Sequence, residues 1–535
     1  METICSQVGE EMATSVYYIG RAAGNTERFG RRLNIGRWMA MKRIGLMTAL
    51  GVLLLSVSAC SGNGGNAGGS PSAANGQSGS SAGAQQTNAQ TDGKGAGAGT
   101  KAPVPAREEI KLPTGPVKLV VASFEPSEQL KQAVKKYEQA HPNVTVELQA
   151  AQSEFKSLDS QIANIEKYVA TTNTALLSGK GPDVMELDLL PREKLVGRGL
   201  LADLGDWMNR DADFNKPDYF VNLLDNLQIA GGLYAMPLSF YPVALLGDEA
   251  AIEKDGGVQD GDWTWDEFAE SAKRLIQKGT HPHALANTPD YMLSELVGER
   301  YAQFVDEAGR RANFDSPDFA GLMTQVKQLF DDGVVIDLMK ANFRSESMAD
   351  NPKINTYFQS TQIPSPMEFL MLMDQYGGNT RVYTKPHAKE MGPGGYFIAN
   401  QTMGINAASP VKEQAWDFLK FLLSEQGAAD PDISLGHTGF PISKIAYDKE
   451  IKKLRDEGEV PGYKNGPAES DPFKVNEAHL DLLDGIVTAA VHPVGQSTKI
   501  GDIISEESKA FFTGQKSAAT VAKLIQNKVT TYLNE

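Results

Sequence analysis

Cysteine is nearly absent from this chain. Two residues in 535, Cys5 and Cys60, exclude a disulfide framework and any zinc or iron–sulfur centre built from several cysteines. Histidine is scarce as well, with seven. Basic residues are outnumbered, 51 against 67 acidic, for a net charge of −16. A nucleic-acid binder would carry a basic stripe, so nucleic acid is not an expected partner. Catalytic signatures are missing too: there is no H-E-x-x-H, no G-x-S-x-G and no P-loop, because Gly179-Lys180 lacks the upstream glycine and the following Ser or Thr. Asp211-x-Asp213-x-Asn215 opens like a calcium loop, but Lys216 stands where glycine belongs and Asn222 where glutamate belongs. His281-Pro282-His283 has no neighbouring ligand set and reads as a loop. No metal, cofactor or catalytic residue is expected.

No run is long enough for an ordinary membrane span. Ile44 to Ala59 is 16 residues without a charge, several of them Ser, Thr or Gly, where a spanning helix needs about 20 apolar residues. Met41-Lys42-Arg43 before it and small residues after it match a secretory signal. Val57-Ser58-Ala59-Cys60 resembles a bacterial lipobox, which implies that Cys60 becomes the diacylated N-terminus of the mature protein; the plainer alternative is a buried cysteine after a short helix. Some 40 polar residues precede Met41, so translation is expected to start at Met41 or Met39. In residues 61–100, Gly, Ala, Ser, Asn and Gln fill 34 of 40 positions. Such a stretch has no apolar side chain larger than Ala with which to offset the entropy of ordering. It reads as a tether, spanning roughly 40 Å for about 50 residues. Removing residues 1–59 leaves the chain still more acidic, which suits a monomer held off an anionic lipid surface.

From about residue 113 the pattern is globular. At 41% hydrophobic and 22% charged, the chain can bury a sizeable core. Lys118 to Phe124 is short, β-branched and proline-bounded, a buried strand. Ser127 can cap a helix in which Leu130, Val134 and Tyr137 share one face. Val144 to Leu148 alternates like a strand, completing a βαβ unit and a largely parallel sheet. Further helices are predicted at Glu166 to Ser178, Asp266 to Gln277, Asp318 to Phe330 and Glu413 to Leu423, with two more in the last 35 residues. Strands are predicted at Pro182 to Leu187, Leu233 to Pro237 and Val243 to Leu246. Alternating strands and helices over some 420 residues mean an α/β fold, too large for one core and so divided into two lobes. Ligands in such sheets bind beyond the strands' carboxyl ends, here Phe124-Glu125 and Met185 to Asp188.

Several stretches, in order, resemble the family 1 extracellular solute-binding proteins of ABC importers, the maltose-binding-protein-like receptors. They are His141-Pro142-Asn143-Val144-Thr145-Val146, Gly179 to Val184 (G-x-x-P-D-V), Gly199 to Leu204, Tyr234-Ala235-Met236-Pro237, Tyr241 to Leu245, Trp263 to Phe268 and Gly404 to Pro410. The resemblance covers roughly 115–535. It implies a two-lobed periplasmic-binding-protein type II fold with a hinge and an interlobe cleft. The expected division is 113–236 for the first part of lobe 1, 237–395 for lobe 2, 396–440 for the return to lobe 1 and 441–535 for C-terminal helices of lobe 2. Chain crossings are expected near Leu233–Leu246, Tyr396–Asn406 and Gly439–Ile445. The implied function is non-catalytic capture of a solute, a sugar or oligosaccharide, delivered to an ABC permease from a lipid anchor on the outer face of the membrane. A surface-tethered glycoside hydrolase and a co-receptor for a membrane sensor are the alternatives.

A sugar cleft needs flat apolar faces and a few carboxylates or amides. Phe240 and Tyr241 read equally as core or cleft, as do Tyr396 and Phe397 after the glycine-rich 392–395 loop. Phe369 falls where relatives place a stacking aromatic. Phe124, with Glu125, and Glu186 sit at strand ends, where the acids are either ligand acceptors or solvated charges. His437 lies near a crossing. The chain departs from the family at Leu246-Gly247-Asp248 and at Gln359 to Met367, where ligand contacts common in relatives are replaced.

Overall fold

The computed structural model describes residues 107–151, 157–340, 355–424, 439–495 apart from 463, 466, 467 and 470, and 497–535. Cys60, the tether and His437 lie outside the described residues.

Strand β1 (Val117–Ser123) leads into helix α1 (Glu128–Ala140) and strand β2 (Val144–Ala150). Ser127 Oγ accepts from the Leu130 amide at 3.1 Å, starting α1 where the sequence placed it. Ala133, Val134 and Tyr137 form its buried face. β1 and β2 pair in parallel from Val117↔Val144 onward, the predicted βαβ unit. Helix α2 (Leu158–Leu177) begins eight residues earlier than Glu166, because Ser157 and Ser160 form a reciprocal cap. Strand β3 (Val184–Glu186) returns parallel to β1, followed by the short helix α3 (Arg192–Gly197).

Strand β4 (Met236–Asp248) is continuous over 13 residues where two pieces were expected. Pro242 pairs with Phe397 on one side and is tolerated because, on the other edge, it falls in the gap between two partner segments. On that edge Ser239 and Phe240 pair with Pro441 and Phe440, and pairing resumes at Val243 with Gln362.

The chain continues with α4 (Trp265–Lys278), β5 (Leu285–Asn287), α5 (Pro289–Glu299), α6 (Pro317–Asp331), β6 (Val335–Asp337), β7 (Phe358–Gln362), α7 (Pro366–Leu372) and β8 (Thr380–Tyr383). The second lobe is built on α4, α5 and α6, while α7 packs back on the first lobe through Phe369 and Leu370. Strand β9 (Gly395–Ile405) and helix α8 (Lys412–Leu423) come next, then β10 (Phe440–Pro441), α9 (Lys444–Glu457), α10 (Glu477–Ala489), β11 (Ala490–Pro493), α11 (Thr498–Phe512) and α12 (Ala518–Asn534).

One sheet carries the order β8-β4-β9-β3-β1-β2, with β10 and β7 also on β4 and β11 on β9. β4 is shared: Met236 to Val243 pair with β9, and Leu245 to Asp248 with β8. β9 is shared too, since Met403 to Ile405 pair with β3. The three expected crossings therefore lie side by side, and Phe240 sits between Ala399 and Phe440.

The apolar side chains separate accordingly. A first cluster gathers Leu119, Val121, Tyr137, Trp416 and Phe418, with a smaller one around Met185, Leu187 and Leu195 beside it. A second gathers Trp263, Phe268, Phe304, Phe319, Ile525 and Leu533. The C-terminal stretch, expected as one block of lobe 2, divides between them. Tyr447, Ile451, Leu480 and Leu483 of α9 and α10 join the first cluster, while Ile500, Ile504 and Val529 of α11 and α12 join the second.

Candidate functional site

Two parallel strands, β1 and β3, end beside each other at Ser123 and Glu186. Ser123 Oγ donates to Glu186 Oε2 at 2.5 Å. Glu186 is the last residue of β3 and Asp188 lies in the turn that follows, close enough for its charge to act on Glu186. Across from them comes β9: the Thr402 amide and hydroxyl donate to Asp188 Oδ1 at 3.0 and 2.5 Å. The neighbouring Gln401 amide also bonds Asp188. Gln401 holds a left-handed backbone, φ 51, an uncommon conformation for a residue with a Cβ.

The electrostatics follow from this crowding. Burial, and then the charge of Asp188, push the Glu186 carboxyl up to about 7, against the opposing pull of the Ser123 hydrogen bond. Asp188 is open to water, yet so much protein surrounds it that desolvation is the largest influence and raises it; Thr402, Gln401 and Arg192 pull the other way. Two aromatic rings stand against the carboxylates. Tyr168 of α2 donates to the Glu186 carbonyl at 3.4 Å and meets Phe124 edge-on at 5.8 Å. Tyr241 of β4 is pushed up to about 12, first by burial and then by Asp188 and Glu368. Tyr168 and Tyr241 are themselves buried, so they back the carboxylates, and it is the carboxylates that can accept from a ligand's hydroxyls. Among the described residues no cluster of three or more potential metal ligands occurs.

The family model of the bacterial extracellular solute-binding proteins matches residues 122–429, more than half of the chain. This chain belongs to that family. Solved structures give the same two-lobed fold. The sugar-binding protein MalE of Xanthomonas citri superposes with a TM-score of 0.53 at 16% identity, covering 78% of this chain and 97% of its own. An extracellular solute-binding protein family 1 member from Alicyclobacillus acidocaldarius gives 0.51 at 17%, covering 79% and 100%. The cyclic alpha-maltosyl-1,6-maltose binding protein of Arthrobacter globiformis gives 0.50 at 14%, covering 78% and 99%. A search of curated sequences returns no match.

In this solute-binding protein the expected site residues scatter. Glu186, Phe124 and Tyr241 come together as described. Glu125 is half-buried at the end of β1. Phe240 is a core residue, packed on Phe220 at 5.5 Å and Phe440 at 5.6 Å. Phe369 and Phe397 are fully buried in the same first cluster, so none of the three offers a face to a ligand. Tyr396 belongs to a different polar group. It is buried, its ring lies 5.2 Å from His492 and 5.4 Å from Lys385 Nζ, and its hydroxyl has no hydrogen-bond partner among the described residues. Behind it Lys385 and Glu299 form a buried ion pair at 2.5 Å, and Asn287 donates to Glu295 at 2.8 Å.

The two departures from the family prove structural. Asp248 accepts from the Ala251 amide at 3.1 Å and meets His281 Nε2 at 3.1 Å. A Cβ on Gly247 would stand 2.6 Å from the Tyr383 ring. In the Gln359 to Met367 stretch, Ser365 caps α7 through the Glu368 amide at 3.1 Å. Sequence reasoning left out Asp188, Thr402, Tyr168 and Arg192 as site residues. Asp188 was detectable from its two-residue offset from Glu186. Thr402 and Tyr168 reach the site only through pairing and packing that leave no local signal.

Proposed function

We propose that this solute-binding protein is a lipid-anchored extracellular receptor that captures a saccharide between its lobes and delivers it to an ABC permease. The observation that carries the reading is the pairing of Glu186 and Asp188 with Tyr168 and Tyr241 at the strand ends beside the three crossing strands. Carboxylates accept from pairs of sugar hydroxyls, and the buried rings behind them hold the pair in place. The names of two structural neighbours, a sugar-binding MalE and a cyclic maltosyl-maltose binding protein, support the same solute class. Hinged strands shared by both lobes support capture by closure. The lipobox-like Val57 to Cys60 and the tether support attachment through Cys60, and replacing Cys60 with Ser is expected to release the protein into the medium.

One observation favours a second reading. A carboxyl raised to about 7 beside another acid is also the pairing of a glycoside hydrolase. One experiment separates the two: thermal melting of the full chain against mono- and oligosaccharides, uronates and peptides, with product analysis of every sample that shifts. A solute at a hundredfold excess over its dissociation constant adds about 2.7 kcal/mol to stability. A shift for one saccharide class with no product formed is the receptor's result. Cleavage of the bound glycan would overturn it.

A further inference from the structure

The lobes also touch away from the carboxylate pair, through α3. This helix belongs to the first lobe, where Leu195 is buried with Met185 and Leu187. Its polar face meets the second lobe. Lys194 Nζ donates to the Tyr532 carbonyl at 2.7 Å and lies 4.5 Å from the centre of the Tyr532 ring. Arg198 Nη2 reaches the Glu535 carbonyl at 3.5 Å. Gly197 runs so close to the Val305–Ala312 hairpin that a Cβ there would stand 2.8 Å from the Ala308 backbone.

The chemistry of the receiving end explains the fit. The last carbonyls of a helix have no partner within the helix and carry its negative dipole end. Basic residues usually answer this from within the last turn. The last turn of α12 has none. The first lobe supplies the cations instead, across the lobe boundary. Beside this contact Arg192 holds Glu193 at 2.8 Å, and Tyr301 donates to the buried Glu307. The charges of Glu193, Arg192 and Lys194 all bear on Glu307, so the seam is polar and shared. The charge of Arg192 also acts on Asp188, four residues before it, so the seam adjoins the carboxylate pair.

We infer that α3 is an interlobe latch: Lys194 and Arg198 cap the C-terminal end of α12 from the opposite lobe, Gly197 permits the approach, and the contact sets how much of the protein is closed without solute. Solute binding then starts from a partly closed population, and breaking the latch lowers that fraction. Because its consequence is a lobe distance, the inference holds whether or not the solute is a sugar.

The test is a spin-label distance measurement on the full chain with no solute added. Labels go on Lys131→Cys in α1 and Lys523→Cys in α12, both exposed, with Cys5 and Cys60 changed to Ser. Lys194→Ala removes the donor, Gly197→Leu wedges the seam and Lys194→Arg keeps a cation in place; circular dichroism checks that each variant folds. The latch predicts that Lys194→Ala and Gly197→Leu lengthen the interlobe distance and lower the closed-to-open ratio by about tenfold, the effect of one charge-assisted hydrogen bond, while Lys194→Arg stays near the parent. Distance distributions unchanged in a folded Lys194→Ala variant would overturn the inference.

Discussion

At the scale of single residues, the account turns on Glu186. Its carboxyl in the folded protein titrates near 7, above its ordinary 4.5, so the folded state holds that proton more tightly than the unfolded chain. The associated stability is full below about 4.5 and is lost as pH rises through 7. Glu307 and Glu450 are raised to about 7 as well, chiefly by burial, so the three act in one direction. Glu186→Gln is expected to raise the melting temperature at pH 8 more than at pH 5, read by thermal denaturation across that range. An equal effect at both pH values would mean that the carboxyl is not strained by its surroundings. Phe240 gives a second prediction. As a core ring its replacement in Phe240→Ala costs about 3–5 kcal/mol, measured by urea unfolding, whereas a ligand-facing ring would cost little stability and much affinity. Residue identity alone left Phe240 and Tyr241 indistinguishable. They alternate along β4, one to each face of the sheet, and only the strands on either side determine which face is core.

At the scale of elements, caps and close approaches make the sharper statements. Thr264 and Glu267 bond each other's amides at the start of α4, so Thr264→Ala is expected to cost about 1 kcal/mol in chemical denaturation. Gly439 enters β10 with φ +85, and a Cβ there would stand 2.9 Å from the Phe240 carbonyl. Gly439→Ala should therefore destabilise the crossing by more than a helix cap does, because strain and a backbone clash add. The same scale shows what could be read beforehand. The βαβ opening was legible because β-branching, Ser127 and the 3.6-residue stripe of α1 agree with one another. α4, α6 and α8 were legible to within one residue at either end for the same reason. β4 was not, since Pro237 and Pro242 argue against a continuous strand until the gap between β10 and β7 is known. The start of α2 was legible in Leu158, Ile162 and Ile165, spaced i, i+4 and i+7 behind the cap residue Ser157, and was missed because the polar Asp159, Ser160, Gln161 and Asn164 break up that stripe in the linear sequence.

At the scale of the whole molecule, two lobes follow from two apolar clusters that meet at β4, where Phe240, Ala244 and Leu246 join the first and Leu245 the second. The three segments expected as crossings from a family resemblance lie adjacent in one sheet. The division of 441–535 between lobes was not legible, because α9 and α10 have the same amphipathic character as α11 and α12. Closure of such lobes on a solute buries surface from both sides, so a bound saccharide is expected to slow amide exchange in β3 and α3 of the first lobe and, together with them, in residues 305–312 and the C-terminal end of α12 of the second, read by hydrogen–deuterium exchange. Protection confined to one lobe would contradict closure.

The most direct measurement is the affinity of the saccharide that raises the melting temperature most, by titration calorimetry with the parent and with Asp188→Asn. Hydrogen bonds to a charged group contribute about 1.5–3 kcal/mol. The account predicts that Asp188→Asn, still bonded to Thr402, weakens binding by about ten- to a hundredfold while the protein stays folded. An unchanged dissociation constant would place the solute away from the Glu186–Asp188 pair and contradict the site described here.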